Sequence, residues 1–192
     1  MVTSAVVTIA GQAIIYKVSP AWSAGAAGPA GTVGPAAGTE DLDRSSRRTK
    51  LHTDLKKAQK RNKALKHASI SHTLHLGGWA LSSAPVGFDL EPRGRKISAK
   101  ALKWYARTGE IERARSRLKL WVMKEAAFKA LRGPLQPATI RHVQISRCRR
   151  SSQNENLRFF FKLKRGRKTL ASGEGRLNCS PSTIMGFATL IS

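Results

Sequence analysis

The sequence predicts an α+β protein with helices packed on an antiparallel sheet. Three observations carry this. Two apolar bursts near the start, V-V-T-I and A-I-I-Y-K-V, flank Gly11 and read as a strand pair within residues 2–18. Residues 98–108 and 112–131 have helical character. After residue 140 only short strand-like segments follow, which suits a meander.

Between the strand pair and the first helix character, residues 20–43 are dominated by Ala, Gly and Pro and read as a flexible linker, since so little apolar surface cannot offset the entropy of ordering. Residues 44–67 are densely basic, and Leu51, Leu55, Ala58 and Leu65 recur near helical spacing, so an amphipathic basic helix is expected over about 48–66. Its charged side is either a solvated face or a dock for an anionic partner. Residues 68–83 read as two short strand-like pieces about Gly77-Gly78. Ala84–Leu90 looks like a buried strand, closed by Pro92-Arg93-Gly94-Arg95. The second helix stops at Gly133-Pro134. Strands are expected at Ile140–Ser146, Leu157–Leu163, Lys168–Ser172, Gly175–Leu177 and Ile184–Ile191.

The chain has 192 residues, 41% of them hydrophobic, so it can bury a core. Its net charge of +24 implies a polyanionic or acidic partner: nucleic acid, an anionic membrane surface, a phosphorylated ligand or an acidic protein. Residues 1–43 hold one basic and three acidic residues, so the excess lies entirely after them. Cys148 and Cys179 form neither a metal-ligand spacing nor a disulfide framework. No apolar run approaches the ~18–20 residues that span a bilayer, and the N-terminus lacks the basic lead-in of a signal peptide. A cytoplasmic protein is expected.

Carboxylates are scarce after residue 43, with eight against thirty-four lysines and arginines. Three of the eight nevertheless fall in two ordered motifs, V-G-F-D-L-E and W-V-M-K-E-A-A-F-K. On a strand, Asp89 and Glu91 share one face because side chains alternate. On a helix, Glu125 and Lys129 share a face because they lie four apart. Such a face can hold a hard, oxygen-loving cation with an ammonium close by for phosphate. Taken singly, each pair is ordinary: a surface acid pair, a helix-stabilising ion pair. Trp121, Val122, Ala126 and Phe128 read as core.

The pieces in order, S-I-S-H-T at 69–73, P-V-G-F-D-L-E at 85–91 and L-W-V-M-K-E-A-A-F-K-A-L at 120–131, resemble the 4′-phosphopantetheinyl transferase superfamily, in particular its surfactin-synthetase (Sfp) type. The resemblance implies that type's pseudo-twofold fold, with a short N-terminal half at 1–83 and a C-terminal half at 84–192 carrying the metal site. It implies Asp89, Glu91 and Glu125 as Mg²⁺ ligands, with Lys129 and His72 on phosphate oxygens. Ser71 would lie beside them in a coenzyme A pocket. The implied reaction moves phosphopantetheine from coenzyme A to a serine of an acidic acyl or peptidyl carrier protein. Glu125 is the first choice for the base, and Lys129 for offsetting charge on the leaving oxygen. A two-half chain implies a monomer.

The N-terminal half departs from the family pattern. No G-K-P element precedes Ser71-His72, and no motif assigns the basic residues that would hold the coenzyme's 3′-phosphate. Two other readings therefore stand beside the transferase: an inactive relative that binds coenzyme A or carrier protein, and a basic nucleic-acid-binding protein.

Overall fold

The opening strand pair forms as an antiparallel hairpin, β1 (Thr3–Ile9) and β2 (Gln12–Ser19), turning through Ala10 and Gly11, both in the left-handed region. The computed structural model describes residues 3–19, 37–73, 76–150 and 156–191, of which 3–4 and 37–44 are described by backbone alone. A long helix, α1 (Ala37–Arg61), leads to β3 (His67–His72) and β4 (Gly77–Ser82). These strands form a four-stranded antiparallel sheet in the order β1-β2-β4-β3. Next come β5 (Val86–Pro92) and three helices, α2 (Ala99–Tyr105), α3 (Glu110–Ala114) and α4 (Arg117–Ala130). The chain ends in β6 (Val143–Arg150), β7 (Leu157–Arg165), β8 (Lys168–Cys179) and β9 (Thr183–Leu190). The second sheet runs β5-β9-β8-β7-β6, with every pair antiparallel.

Three apolar clusters stack these elements into α/β/β/α layers. Leu51 and Leu55 of α1 pack on Trp79 and Leu81, with Ala58 and Leu65 at the margin, which is the apolar side expected of the basic helix. Val7, Ile9, Ile14 and Ala80 meet Val86, Phe88, Leu90 and Phe187 between the two sheets. Leu120, Val122, Met123, Ala126 and Ala127 of α4 pack on Phe159, Phe161, Leu177 and Ala188. Both β4 and β5 are covered on both faces, so they read as continuous apolar runs rather than alternating ones.

Several expected boundaries shift, each for a local reason. Of the expected linker at 20–43, residues 20–36 lie outside the described residues and 37–43 are already helical. Extending an existing helix adds one bond per residue fixed, and Pro35 is the last proline before it. The same helix ends at Arg61 rather than 66, where the Asn62 side chain donates to the Ala58 carbonyl at 2.9 Å and Leu65 N–H turns back to Asn62. Gly77-Gly78 is not the turn but the start of β4. A Cβ on Gly78 would stand 2.6 Å from the Lys17 carbonyl and 3.1 Å from the Phe88 ring, so the glycine permits the layers to approach.

The helix expected at 112–131 is divided. Arg115 turns left-handed (φ 60°), and Ser116 caps a new helix by accepting from Lys119 N–H at 3.3 Å. Ile140–His142 is a 3₁₀ turn, and β6 begins only at Val143. The two short strands expected at 168–172 and 175–177 are one strand, β8, which pairs with β7 and β9 through Gly173 and Gly175.

Candidate functional site

Asp89 and Glu91 alternate onto the helix side of β5, beneath α4, and both are buried. The preceding Gly87 makes this contact close: a Cβ there would fall 1.8 Å from the Ala126 carbonyl. Helix α4 can therefore lie directly on the strand, and it brings Lys129 over Asp89.

Asp89 Oδ1 accepts from Lys129 Nζ at 2.7 Å and from Ser71 Oγ at 2.7 Å. Ser71 Oγ in turn accepts from Leu90 N–H at 3.3 Å, and Ser69 Oγ accepts from Phe88 N–H at 3.0 Å. Strand β5 pairs with β9 on one side only, so the serines of β3 satisfy amides on its open edge. The S-I-S element thereby joins the two sheets and orients Asp89. Ser69 was not among the expected site residues; its signal was the period-two spacing from Ser71. His72, the last residue of β3, is exposed.

Glu91 Oε1 accepts from Arg95 and, at 3.3 Å, from the indole Nε1 of Trp121. Arg95 also lies 5.6 Å from the Trp121 ring centroid. Sequence reading gave Trp121 to the core and did not assign Arg95. The spacing of four between Glu91 and Arg95 was the available signal. Glu125 sits on the rim, with Oε2 3.9 Å from Lys129 Nζ. Burial pushes the Glu91 carboxyl up from its ordinary value, and the charge of Asp89 adds to this against Arg95 and Trp121. Burial likewise raises Glu125, with Asp89 adding and Lys129 and Arg95 opposing.

Two atoms in this cluster lack partners. Asp89 Oδ2 and Glu91 Oε2 are buried and accept no hydrogen bond among the described residues. A buried carboxylate oxygen without a partner costs roughly 1–3 kcal/mol or more, so two on neighbouring in-facing residues need an explanation. Among the described residues no three His, Cys, Asp or Glu side chains close around a common point to hold a metal ion. Mg²⁺, however, is commonly held by one or two carboxylates, completing its shell with water and substrate phosphate. The two orphaned oxygens fit that requirement, with Glu125 on the rim as the third acid.

Residues 85–179, from the start of β5 through β8, match the model of the 4′-phosphopantetheinyl transferase superfamily. The chain carries a domain of this superfamily. Asp89, Glu91, Glu125 and Lys129 fall inside the phosphopantetheinyl transferase domain, whereas Ser71 reaches it from the N-terminal sheet and His72 follows Ser71 at the end of β3. No curated protein matches the chain. Among the described residues no helix is long and apolar enough to cross a membrane.

A second ion pair within the domain was missed altogether. Lys124 and Glu110 are wholly buried, with Nζ 2.8 Å from Oε2. Lys124 also donates to the Tyr105 carbonyl at 2.6 Å, and Glu110 accepts from the backbone N–H of Arg107 and of Ile145, both at 2.7 Å. This network ties α2, α3, α4 and β6 together and holds the helix that carries Glu125 and Lys129.

Proposed function

We propose that this chain transfers the 4′-phosphopantetheine group of coenzyme A to a serine hydroxyl of an acyl or peptidyl carrier protein, with Mg²⁺ as cofactor. The observation that carries the reading is the pair of orphaned carboxylate oxygens beneath α4, one on Asp89 under Lys129 and one on Glu91 beside Trp121. Asp89 and Glu91, with Glu125 at the rim, would hold the ion, which when bound supplies positive charge to the pyrophosphate. Ser71 and Lys129 fix the Asp89 carboxylate, so its free oxygen keeps one direction. Lys129 uses one of three ammonium hydrogens on Asp89 and offers the others to phosphate oxygens.

The reaction is a displacement at phosphorus. The serine oxygen forms a bond to the phosphorus that carries pantetheine, and the bond from that phosphorus to the bridging oxygen breaks. Adenosine 3′,5′-bisphosphate leaves, Lys129 offsets the charge on it, and the serine proton passes to Glu125. Burial raises the Glu125 carboxyl, which makes it a better base than an exposed glutamate.

Two features of the surroundings support the substrates. A groove of about 470 Å³ between α1 and α4 opens beside Lys129 and is lined by His52, Ser69, Lys129 and Arg132, giving room for the coenzyme. A cleft of about 850 Å³ on the Glu91 side is lined by Arg93, Arg95, Lys96, Arg115, Arg117 and Lys119, with no acid among the described residues of its lining, and suits an acidic carrier protein.

The test is intact-mass spectrometry of a panel of apo carrier proteins incubated with this protein, coenzyme A and Mg²⁺. A phosphopantetheine mass gain that Asp89→Ala and Glu125→Ala both abolish is the expected result. Coenzyme A binding with no gain on any carrier would instead mark an inactive relative.

A further inference from the structure

The second sheet has a face that the phosphopantetheinyl chemistry does not use. Its helix side carries Asp89 and Glu91, and its opposite side is covered by the N-terminal sheet near Phe88 and Phe187. β1 packs against part of β8 there, whereas along β6 and β7 that side exposes most of its side chains among the described residues, and the residue pairing is unusual. Arg149 faces Arg158, and Arg158 faces Arg176, so three arginines form one row across three strands. The next row is Arg147, Phe160 and Glu174, and the third is Gln144, Lys162 and Ser172. Arg147, Arg149, Arg158, Lys162 and Arg176 are exposed, around a partly buried Phe160.

Like charges directly opposite one another destabilise a sheet. A row of three is a local rule broken at a stability cost, which is a mark of a binding surface. Among the described residues the acid in these rows is Glu174, and it does not neutralise the arginine row. Glu174 is buried and binds Arg158 through two hydrogen bonds of 2.6 Å each. That bidentate grip fixes the plane of the Arg158 guanidinium, which lies 5.2 Å from the Phe160 ring centroid. Among the described residues Arg147, Arg149 and Arg176 have no carboxylate within ion-pair distance. Beside the row, Arg149, Arg150, Arg158, Arg176, Asn156 and Asn178 line a hollow of about 310 Å³.

A held planar cation over an aromatic ring, bordered by exposed arginines, offers two things at once. The plane takes a flat π system by stacking, and the arginines take phosphates. An acidic protein would use the charge but has no need of the plane. We propose that this face binds single-stranded nucleic acid, with a base stacked on Arg158 and Phe160 and backbone phosphates on Arg149 and Arg176. The site is on the sheet side opposite Asp89, so it is separate from the transferase reading and does not rest on it.

The test is fluorescence anisotropy of short fluorescein-labelled oligothymidylate and oligouridylate against the full chain, with inorganic polyphosphate as the unstacked polyanion in competition. Arg149→Ser/Arg176→Ser should reduce the slope of log affinity against log salt by about 1.4, since each single-strand phosphate contact contributes about 0.7. Arg158→Lys keeps the charge and removes the plane. It should weaken both oligonucleotides about fivefold or more while leaving polyphosphate competition unchanged. Circular dichroism of both variants should match the wild type. Oligonucleotide binding that survives both variants would place it elsewhere on this cationic chain and overturn the proposal. So would an Arg158→Lys effect equal for oligonucleotide and polyphosphate, or loss in the variants of binding to an apo carrier protein alone.

Discussion

Lys124 and Lys129 lie on one helix, five positions apart, and each meets an acid at hydrogen-bond distance, yet their surroundings differ in kind. Lys124 is sealed: 0% of its side chain is exposed, and every oxygen of its partner Glu110 has a donor. Lys129 is 28% exposed, and its partner Asp89 and the neighbouring Glu91 each keep one buried oxygen with no donor among the described residues. A saturated buried network holds helices in place. An unsaturated one, opening to solvent beside a groove, has valences left for a ligand. The contrast separates a structural ion pair from the one proposed to act in transfer, and each of the following experiments acts on one side of it.

The largest effect should come from the open pair. Asp89→Ala should slow carrier-protein modification on the order of a thousandfold or more, read by intact mass, because it removes a proposed Mg²⁺ ligand and the anchor of Lys129. Its thermal stability should change little by comparison. Lys124→Met should do the reverse, costing about 3 kcal/mol in urea unfolding, because it leaves Glu110 as a buried charge without its cation. Any loss of transfer in this variant should follow the folded fraction. A similar activity loss for both variants at full folding would erase the distinction.

Ser71→Ala should slow transfer about tenfold, since it removes a group that orients the carboxylate of Asp89, the proposed metal ligand. Glu91→Gln should separate stability from function. Burial and Asp89 push the Glu91 carboxyl upward, so its ionised form costs stability, and the cost grows as pH rises from the ordinary value through the raised one. Without Mg²⁺ the glutamine variant should therefore be more stable than wild type at neutral pH by about 1 kcal/mol. It should also lose the rise in melting temperature that added Mg²⁺ gives the wild type. An unchanged Mg²⁺ effect would remove Glu91 from the ion site.

The smallest effect concerns the sealed pair. Burial pushes the Lys124 ammonium down from 10.5 to about 8, against the attraction of Glu110. Above pH of about 8 the folded chain sheds a proton that the unfolded chain keeps, so stability from this group rises with pH toward 10.5. Urea unfolding of the wild type relative to Lys124→Met should show that upward slope, and a flat difference would show that Glu110 keeps Lys124 charged.

Much of the open site was legible because it rests on local periodicity. Alternation on β5 and a spacing of four on α4 place Asp89 with Glu91, and Glu125 with Lys129, before any tertiary contact is known. Gly87 in the same motif carries its reason in the structure, where α4 passes too close for a side chain. The sealed pair left no such trace. Glu110 lies fourteen positions before Lys124 on another helix, and nothing in the sequence separates it from its exposed-looking neighbour Glu112. The break at Arg115 was likewise hidden, since the apolar pattern runs on through it and only the Ser116 cap restarts the helix.

The sequence by itself determined the α+β order of elements, the two carboxylate motifs and the excess of positive charge. These follow from backbone periodicity and composition, which act over a few residues. Only the tertiary structure decided which partners those motifs meet. It set Ser69 and Ser71 on the open edge of β5, Arg95 and Trp121 on Glu91, and three arginines in one row across separate strands. Those contacts depend on sheet order and register, which the packing of whole layers fixes and no short window of sequence contains.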